Sequence, residues 1–336
     1  MQRRRLLFAA IGVVVVVATF AYALPQIADY RDVWAVLSDV SWEWIGILAA
    51  ASALNLATFA PPWQIVLPGL SFRFALILTQ ISTALSMVVP GGAAVGIAGA
   101  YGILRRWGFR GRDIGRAVTI VTLWNQLANV SYPAIALVLL AAFGGDSPVL
   151  LTAGILGAEV LAVALVAVVG VLSSARAATG LGDLSARLAD WVLAWLRRPP
   201  VTWSGDSFEQ FRSDAARLLR RRWHVLTLAT YGGTLTVFLV LFFALRALDV
   251  PASEVSFVEA FAAWSLARLL GTIPITPGGV GVVELGLTGA LLAFGGNNAG
   301  VVAAVLVYRF LTILPTILFG LVAAVTVRRH TVATTA

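Results

Sequence analysis

Between Ala117 and Phe143 the chain runs without one charged side chain, and Leu6 to Leu24 and Trp223 to Leu245 do the same. About 20 apolar residues carry a helix across the hydrocarbon of a bilayer. Each unpaired backbone group in that layer costs several kcal/mol, so only helices and closed barrels span it, and runs of this length select helices. Composition closes the alternative of a soluble enzyme. Hydrophobic residues make up 60% of the 336, charged residues 12%, and mean hydropathy is +0.91, whereas soluble domains carry about 25% charge. The formal charge is +8 and every basic residue is Arg. These arginines stand in short clusters between apolar runs, which positive-inside orientation explains without nucleic acid. The absence of Cys removes disulfides, thiolate metal sites and Cys nucleophiles.

Arg3, Arg4 and Arg5 ahead of Leu6–Leu24 put the N-terminus in the cytoplasm. That run reads as a retained anchor, with the signal-peptidase-like Ala21-Tyr22-Ala23 as the competing reading. Trp34, Trp42 and Trp44 form an outer aromatic belt, and Trp44 to Ala60 returns to the Pro61-Pro62 break. Phe74 to Val89 and Gly91 to Leu104 are each short for a crossing and are split by Pro90-Gly91-Gly92. Arg73 precedes the pair and Arg105, Arg106, Arg110, Arg112 and Arg116 follow it, so both ends face the same side and a re-entrant hairpin is expected. Ala117–Phe143 and Pro148–Leu172 cross out and back around the turn Gly144–Ser147. Residues 173–222 carry nine Arg against five acids and read as two cytoplasmic amphipathic helices on the anionic lipids of the inner leaflet. A solvated loop that only enforces topology is the competing reading. Trp223–Leu245 crosses outward, Phe257–Ile275 is interrupted by Thr276-Pro277-Gly278-Gly279 before Val280–Phe294, and Gly300–Val327 ends inside at Arg328 and Arg329. The fold class expected is an all-α polytopic membrane protein, one membrane domain over residues 1–336, with about six full transmembrane helices plus two re-entrant hairpins.

The two Pro-Gly-Gly triplets superpose at an offset of 187 residues, which also brings Phe74 onto Phe261, Gly99 onto Gly286 and Gly102 onto Gly289. The copies, about 72–143 and 257–327, open toward opposite faces, so they constitute an inverted repeat. Repeats of this kind with broken helices recur in secondary transporters, whose substrate sites lie near the midplane. The competing reading is that the glycines serve close helix packing, as Gly92 and Gly96 with GxxxG spacing do.

Candidate substrate-binding residues follow from depth and charge. Glu284, Arg268 and Arg309 lie inside apolar segments, where an ionised group costs about 2.5–3.5 kcal/mol on insertion scales and must pair or face water. Glu284 and Arg309 are the expected pair, either clipping the hairpin to the last helix or leaving a guanidinium for a lipid phosphate. Pro277, Gly278 and Gly279, like Pro90, Gly91 and Gly92, free backbone N–H groups for the same anion. Thr122, Asn125, Asn129 and Tyr132 share a helical face that either glues helices or binds substrate. Glu159 is a lone acid and His224 sits at an interface. Two His without Cys argue against a metal site, Gly279-Val280-Gly281 continues as Val-Val-Glu and fails the dinucleotide pattern, and no Walker A sequence occurs, so no cofactor is expected.

The segment Ile273-Pro274-Ile275-Thr276-Pro277-Gly278-Gly279-Val280-Gly281-Val282-Val283-Glu284, with Tyr308-Arg309 and Pro315, resembles the signature of the lysylphosphatidylglycerol synthase transmembrane family. Val89-Pro90-Gly91-Gly92 through Gly99 and Leu123-Trp124-Asn125-Gln126 resemble its single-domain bacterial members, and the resemblance covers roughly residues 40–327. It implies a phospholipid flippase like the hydrophobic domain of the multiple peptide resistance factor, with Glu284 and Arg309 matching the acid and the Arg of the second half. The soluble aminoacyl transferase of that factor has no counterpart after Val327, so transport rather than synthesis is expected. Where the family often has an Arg or acid after the first Pro-Gly, this chain has Ala93, Ala94, Val95 and Gly96, which leaves the headgroup open. The expectation is a multi-pass protein of the bacterial plasma membrane, both termini cytoplasmic, moving a phospholipid or lipid-linked anionic substrate between leaflets. It would act alone, as a homo-oligomer or beside a separate synthase. The alternatives are a membrane transferase on lipid-linked substrates with Glu284 as base, and a noncatalytic assembly partner.

Overall fold

A computed structural model describes residues 30–88, 92–143, 148–173, 205–272 and 276–327. The first expected span, Pro90, Gly91, the turn 144–147, most of the Arg-rich segment (174–204) and residues 273–275 lie outside the described residues. Among those described, the regular elements are helices: α1 (Tyr30–Ser38), α2 (Trp42–Thr58), α3 (Pro61–Val66), α4 (Phe72–Val88), α5 (Gly92–Arg106), α6 (Gly111–Phe143), α7 (Pro148–Ser173), α8 (Gly205–Ala247), α9 (Phe257–Thr272), α10 (Val282–Ala293) and α11 (Asn298–Val327), with a short 3-10 turn at Pro277–Gly279. Among the described residues, four helical stretches are long and apolar enough to cross a membrane: Trp42–Val66, Gly111–Phe143, Leu218–Ala247 and Asn298–Ala324. Shorter apolar helices, Phe72–Met87, Leu151–Val163 and Val282–Ala293, accompany them.

Local chemistry sets the helix ends. Ser41 caps α2 by accepting the Trp44 N–H. At α9, Ser256 and Glu259 form a reciprocal capping box: the Ser256 N–H donates to Glu259 Oε2 at 2.8 Å and the Glu259 N–H to Ser256 Oγ at 3.3 Å. Asn297 caps α11, its Oδ1 accepting the Gly300 N–H at 2.8 Å while its Nδ2 donates to Glu254 and to the Asp249 carbonyl. Arg246 closes the link between α8 and α9 by donating to the Val250 and Val255 carbonyls.

One expectation changes in form. The second amphipathic helix, expected to lie separately on the leaflet, is continuous with the span after it, because α8 runs unbroken through 43 residues. No Pro or Gly falls between Gly205 and Gly232 to stop it. Trp34 and Trp42 are exposed, as aromatics at a membrane boundary would be.

Among the described residues, two buried clusters organise the bundle. The larger joins α6, α8, α9, α10 and α11 around Tyr132, Phe238, Phe261 and Trp264. Their rings meet at centroid distances of 5.3–5.8 Å, several of them edge to face. The smaller packs Trp63, Trp107 and Trp124 among α3–α6 and the start of the α8 span. The half-length helices α4 and α5 lie against each other, as do α9 and α10, while α11 packs along α4. At α4–α5 the approach is close enough to demand glycine. A Cβ at Gly92 would stand 1.9 Å from the Ser86 carbonyl oxygen, and one at Gly96 2.6 Å from that of Ser82. These two glycines therefore serve close packing of α4 on α5.

Candidate functional site

The second break brings its residues together in a defined way. Gly278 has φ of 63° and ψ of 13°, a left-handed conformation that glycine adopts without Cβ penalty. The chain thereby turns and re-enters a helix at Val282. Glu284 occupies the third position of α10, where its Oε2 accepts the Gly281 N–H at 2.6 Å, satisfying one of the bare amides of the helix start. Its other oxygen, Oε1, takes Nε of Arg309 at 2.7 Å. Arg309 Nη2 then donates to the Gly278 carbonyl at 2.8 Å. One carboxylate and one guanidinium thus tie the break, α10 and α11 into a single unit. Glu284 is 1% exposed, and both of its oxygens are engaged. As a general base it would first have to give up a buried ion pair.

Arg268 is arranged differently. Its Nη2 donates to Asn129 Oδ1 at 2.7 Å, and its guanidinium lies 5.1 Å over the Trp264 ring. Nε is buried without a hydrogen-bond partner, and no carboxylate of a described residue lies within salt-bridge distance. Asn129 in turn donates to Gln126 Oε1 at 3.1 Å. Two polar helical faces, 139 residues apart in sequence, therefore meet at one cation.

A cavity of about 330 Å³ lies between these elements, lined by Arg268, Arg309, Asn129 and Gly278 together with Asn55, Gln80, Met87, Tyr308, Thr312 and Thr316. This is the lower end of the roughly 300–1,000 Å³ typical of small-ligand sites. A second cavity of about 250 Å³ adjoins it, sharing Phe59 and Thr83, and is lined by Ser82, Ser86, Gly96, Thr122, Asn125 and Gln126 among others. The stripe Thr122, Asn125, Asn129 thus divides between two neighbouring hollows, while Tyr132 is buried behind them and donates to the Tyr231 carbonyl at 2.7 Å. Of the expected site residues, Arg268, Arg309, Gly278 and Asn129 line the larger cavity and Asn125 the smaller. Glu284 stands behind the larger, Pro277 and Gly279 form the adjoining turn, Gly92 packs on α4, and Pro90 and Gly91 are outside the described residues. Glu159 is exposed on α7.

Asn55, Gln80, Thr312 and Thr316 were not legible as site residues. Thr312 and Thr316 follow Tyr308-Arg309 at helical spacing, and that polar stripe on α11 was the available signal. Asn55 and Gln80 are isolated amides in apolar helices, and nothing in the sequence aims them at the same hollow. No group of three or more His, Asp or Glu among the described residues is placed to hold a metal ion.

No curated protein matches the chain as a relative. The family model for the lysylphosphatidylglycerol synthase TM region matches residues 8–320 of the 336, nearly its whole length and including both breaks, the Glu284–Arg309 clip and Arg268. The chain is a multi-pass membrane protein that belongs to the lysylphosphatidylglycerol synthase transmembrane family.

Proposed function

We propose that this protein moves a phospholipid or lipid-linked anionic headgroup between the leaflets of the bacterial plasma membrane. The observation that carries the reading is the meeting of the two broken segments at a polar cavity. The end of α4 lies against the 3-10 turn, so that a Cβ built on Gly278 would be 3.6 Å from Met87. The hollow beside this contact holds a cation without an acid partner among the described residues. Irregular backbone at membrane depth is tolerated where protein buries it or a wet cavity borders it. Broken helices of paired repeats are where secondary transporters bind substrate.

An inverted repeat of re-entrant hairpins is part of the same proposal. In its favour, α4–α5 precedes α6 as α9–α10 precedes α11. Gly99 and Gly286, equivalent under the 187-residue offset, each lie where a Cβ would press on a leucine of the preceding helix, Leu85 in one copy and Leu270 in the other. With both termini cytoplasmic, the Arg-rich 173–222 segment would meet anionic lipids of the inner leaflet. The transferase alternative lacks a free carboxylate among the described residues of the cavity wall, since Glu284 is engaged by Arg309 and Gly281.

The test is reconstitution of the full chain into proteoliposomes with acyl-labelled phospholipids, following the fraction of label open to a membrane-impermeant quencher. Movement faster than in protein-free vesicles is expected. Rates equal to protein-free vesicles across a panel of anionic, zwitterionic and aminoacylated lipids would refute the carrier reading.

A further inference from the structure

Charge bookkeeping at the cavity wall says which headgroups it can take. Among the described residues, its charged lining side chains are Arg268 and Arg309. Arg309 is neutralised by Glu284, whose carboxylate is buried and fully engaged. One positive charge, Arg268, is left over. Its one engaged terminal nitrogen meets a neutral amide, Asn129. Part of the remaining polar wall has its protons committed elsewhere, while Asn55, Thr83 and Tyr308 add further polar groups to it. Thr312 and Thr316 commit their hydroxyl hydrogens to carbonyls four residues back, at 2.8 and 3.1 Å. Gln80 donates Nε2 to the Leu56 carbonyl at 3.1 Å, which fixes the amide orientation and leaves Oε1 buried without a partner.

Resting on the carrier reading above, we infer that this cavity selects lipids by headgroup charge. It takes a monoanionic phosphodiester whose headgroup bears hydroxyls, anchors the phosphate on Arg268, and turns away aminoacylated, net-cationic headgroups. The guanidinium fork matches two phosphate oxygens. A phosphodiester carries the single negative charge that cancels Arg268, whereas a phosphate monoester brings about −1.5 to −2. Glycerol-type hydroxyls, which both donate and accept, match the Thr312 and Thr316 oxygens and the polar groups of Asn55, Thr83 and Tyr308. A lysyl headgroup adds two ammonium groups against one phosphate, and among the described residues no carboxylate lines the wall to receive them. An unpaired charge buried there is strongly disfavoured. Asn129 acts as a positioning residue that holds the guanidinium without neutralising it.

Proteoliposomes holding the full-length protein, with acyl-labelled phosphatidylglycerol, phosphatidylethanolamine or lysylphosphatidylglycerol, separate the outcomes. Phosphatidylglycerol should move fastest and the lysyl lipid slowest, by about tenfold or more, which is about 1.4 kcal/mol. Arg268→Gln should bring phosphatidylglycerol down to the rate of the lysyl lipid, and Arg268→Lys should restore part of the difference. Asn129→Asp, nearly isosteric, gives up the donation to Gln126 and places a carboxylate on Arg268; it should abolish the preference for the anionic lipid, with the thermal midpoint measured alongside to show that the fold is kept. Lysylphosphatidylglycerol moving as fast as phosphatidylglycerol overturns the inference and leaves the carrier reading standing, as does an unchanged preference in both Arg268→Gln and Asn129→Asp. No lipid moving at all overturns the carrier reading and this inference with it. Radiolabelled inorganic phosphate is expected to stay outside the vesicles, and its protein-dependent uptake without lipid movement would reassign the anion to a soluble ligand and overturn the lipid assignment.

Discussion

Replacing Glu284 with alanine strands Arg309 in a place built for two charges. The side chains of the pair are 2% and 14% exposed, so solvent cannot take over the lost partner as it does at a surface bridge worth about 0–1 kcal/mol. Breaking a buried pair from one side costs about 3–5 kcal/mol, because the surviving charge stays desolvated. The Gly281 N–H loses its acceptor in the same step. Large domains lose about 2 °C per kcal/mol, so the thermal midpoint in detergent should fall by roughly 6–10 °C. Hydrogen exchange should rise first in residues 276–281, which Arg309 holds through the Gly278 carbonyl. Adding Arg309→Met to Glu284→Ala removes the stranded cation and should recover part of the loss, giving a coupling of about 1.5–3 kcal/mol in a double-mutant cycle. If each single variant melts within about 2 °C of the parent and their effects add, the clip is not holding the break and the reasoning from burial is wrong.

Further outcomes test the local arguments. Gly278→Ala has room for its methyl group, since Met87 is 3.6 Å away; it should still lose about 1–2 kcal/mol to the left-handed backbone alone, and Gly278→Asn should lose less, both read from thermal unfolding. Gly96→Leu would drive a side chain into Ser86 Oγ and the Ser82 carbonyl, 2.0 and 2.6 Å from the built Cβ. It should cost about 1–3 kcal/mol by overpacking and part α4 from α5, measured by loss of cross-linking between cysteines placed on the two helices. Asn297→Ala removes the α11 cap and its links to Glu254 and Asp249; a cost of about 0.5–2 kcal/mol is expected, with faster proteolysis of the 248–256 link.

Much of this molecule is written in hydropathy and punctuation. Charge-free runs announce spans because the bilayer tolerates no unpaired backbone, and the two Pro-Gly-Gly triplets announce breaks because neither residue continues a helix well. The Glu284–Arg309 pair was legible for a related reason: two ionised groups at membrane depth need each other, and few candidates exist. The form of the Arg-rich segment was less legible. Amphipathic periodicity describes a helix face and says nothing about whether the helix ends before the next span, and α8 does not.

What the sequence determined by itself is the solvent, the helical class, the breaks and the list of buried charges, because each follows from the cost of moving a group from water to hydrocarbon. What only the tertiary structure decided is how those charges are spent. Arg309 and Arg268 look alike in sequence, each a lone Arg in an apolar segment. Packing α11 on α10 hands the first a carboxylate at 2.7 Å, while packing α9 on α6 hands the second a neutral amide at the same distance. Helical periodicity fixes which side chains share a face but not which face they meet, so a structural clip and an unneutralised cation become distinguishable only once the helices are assembled.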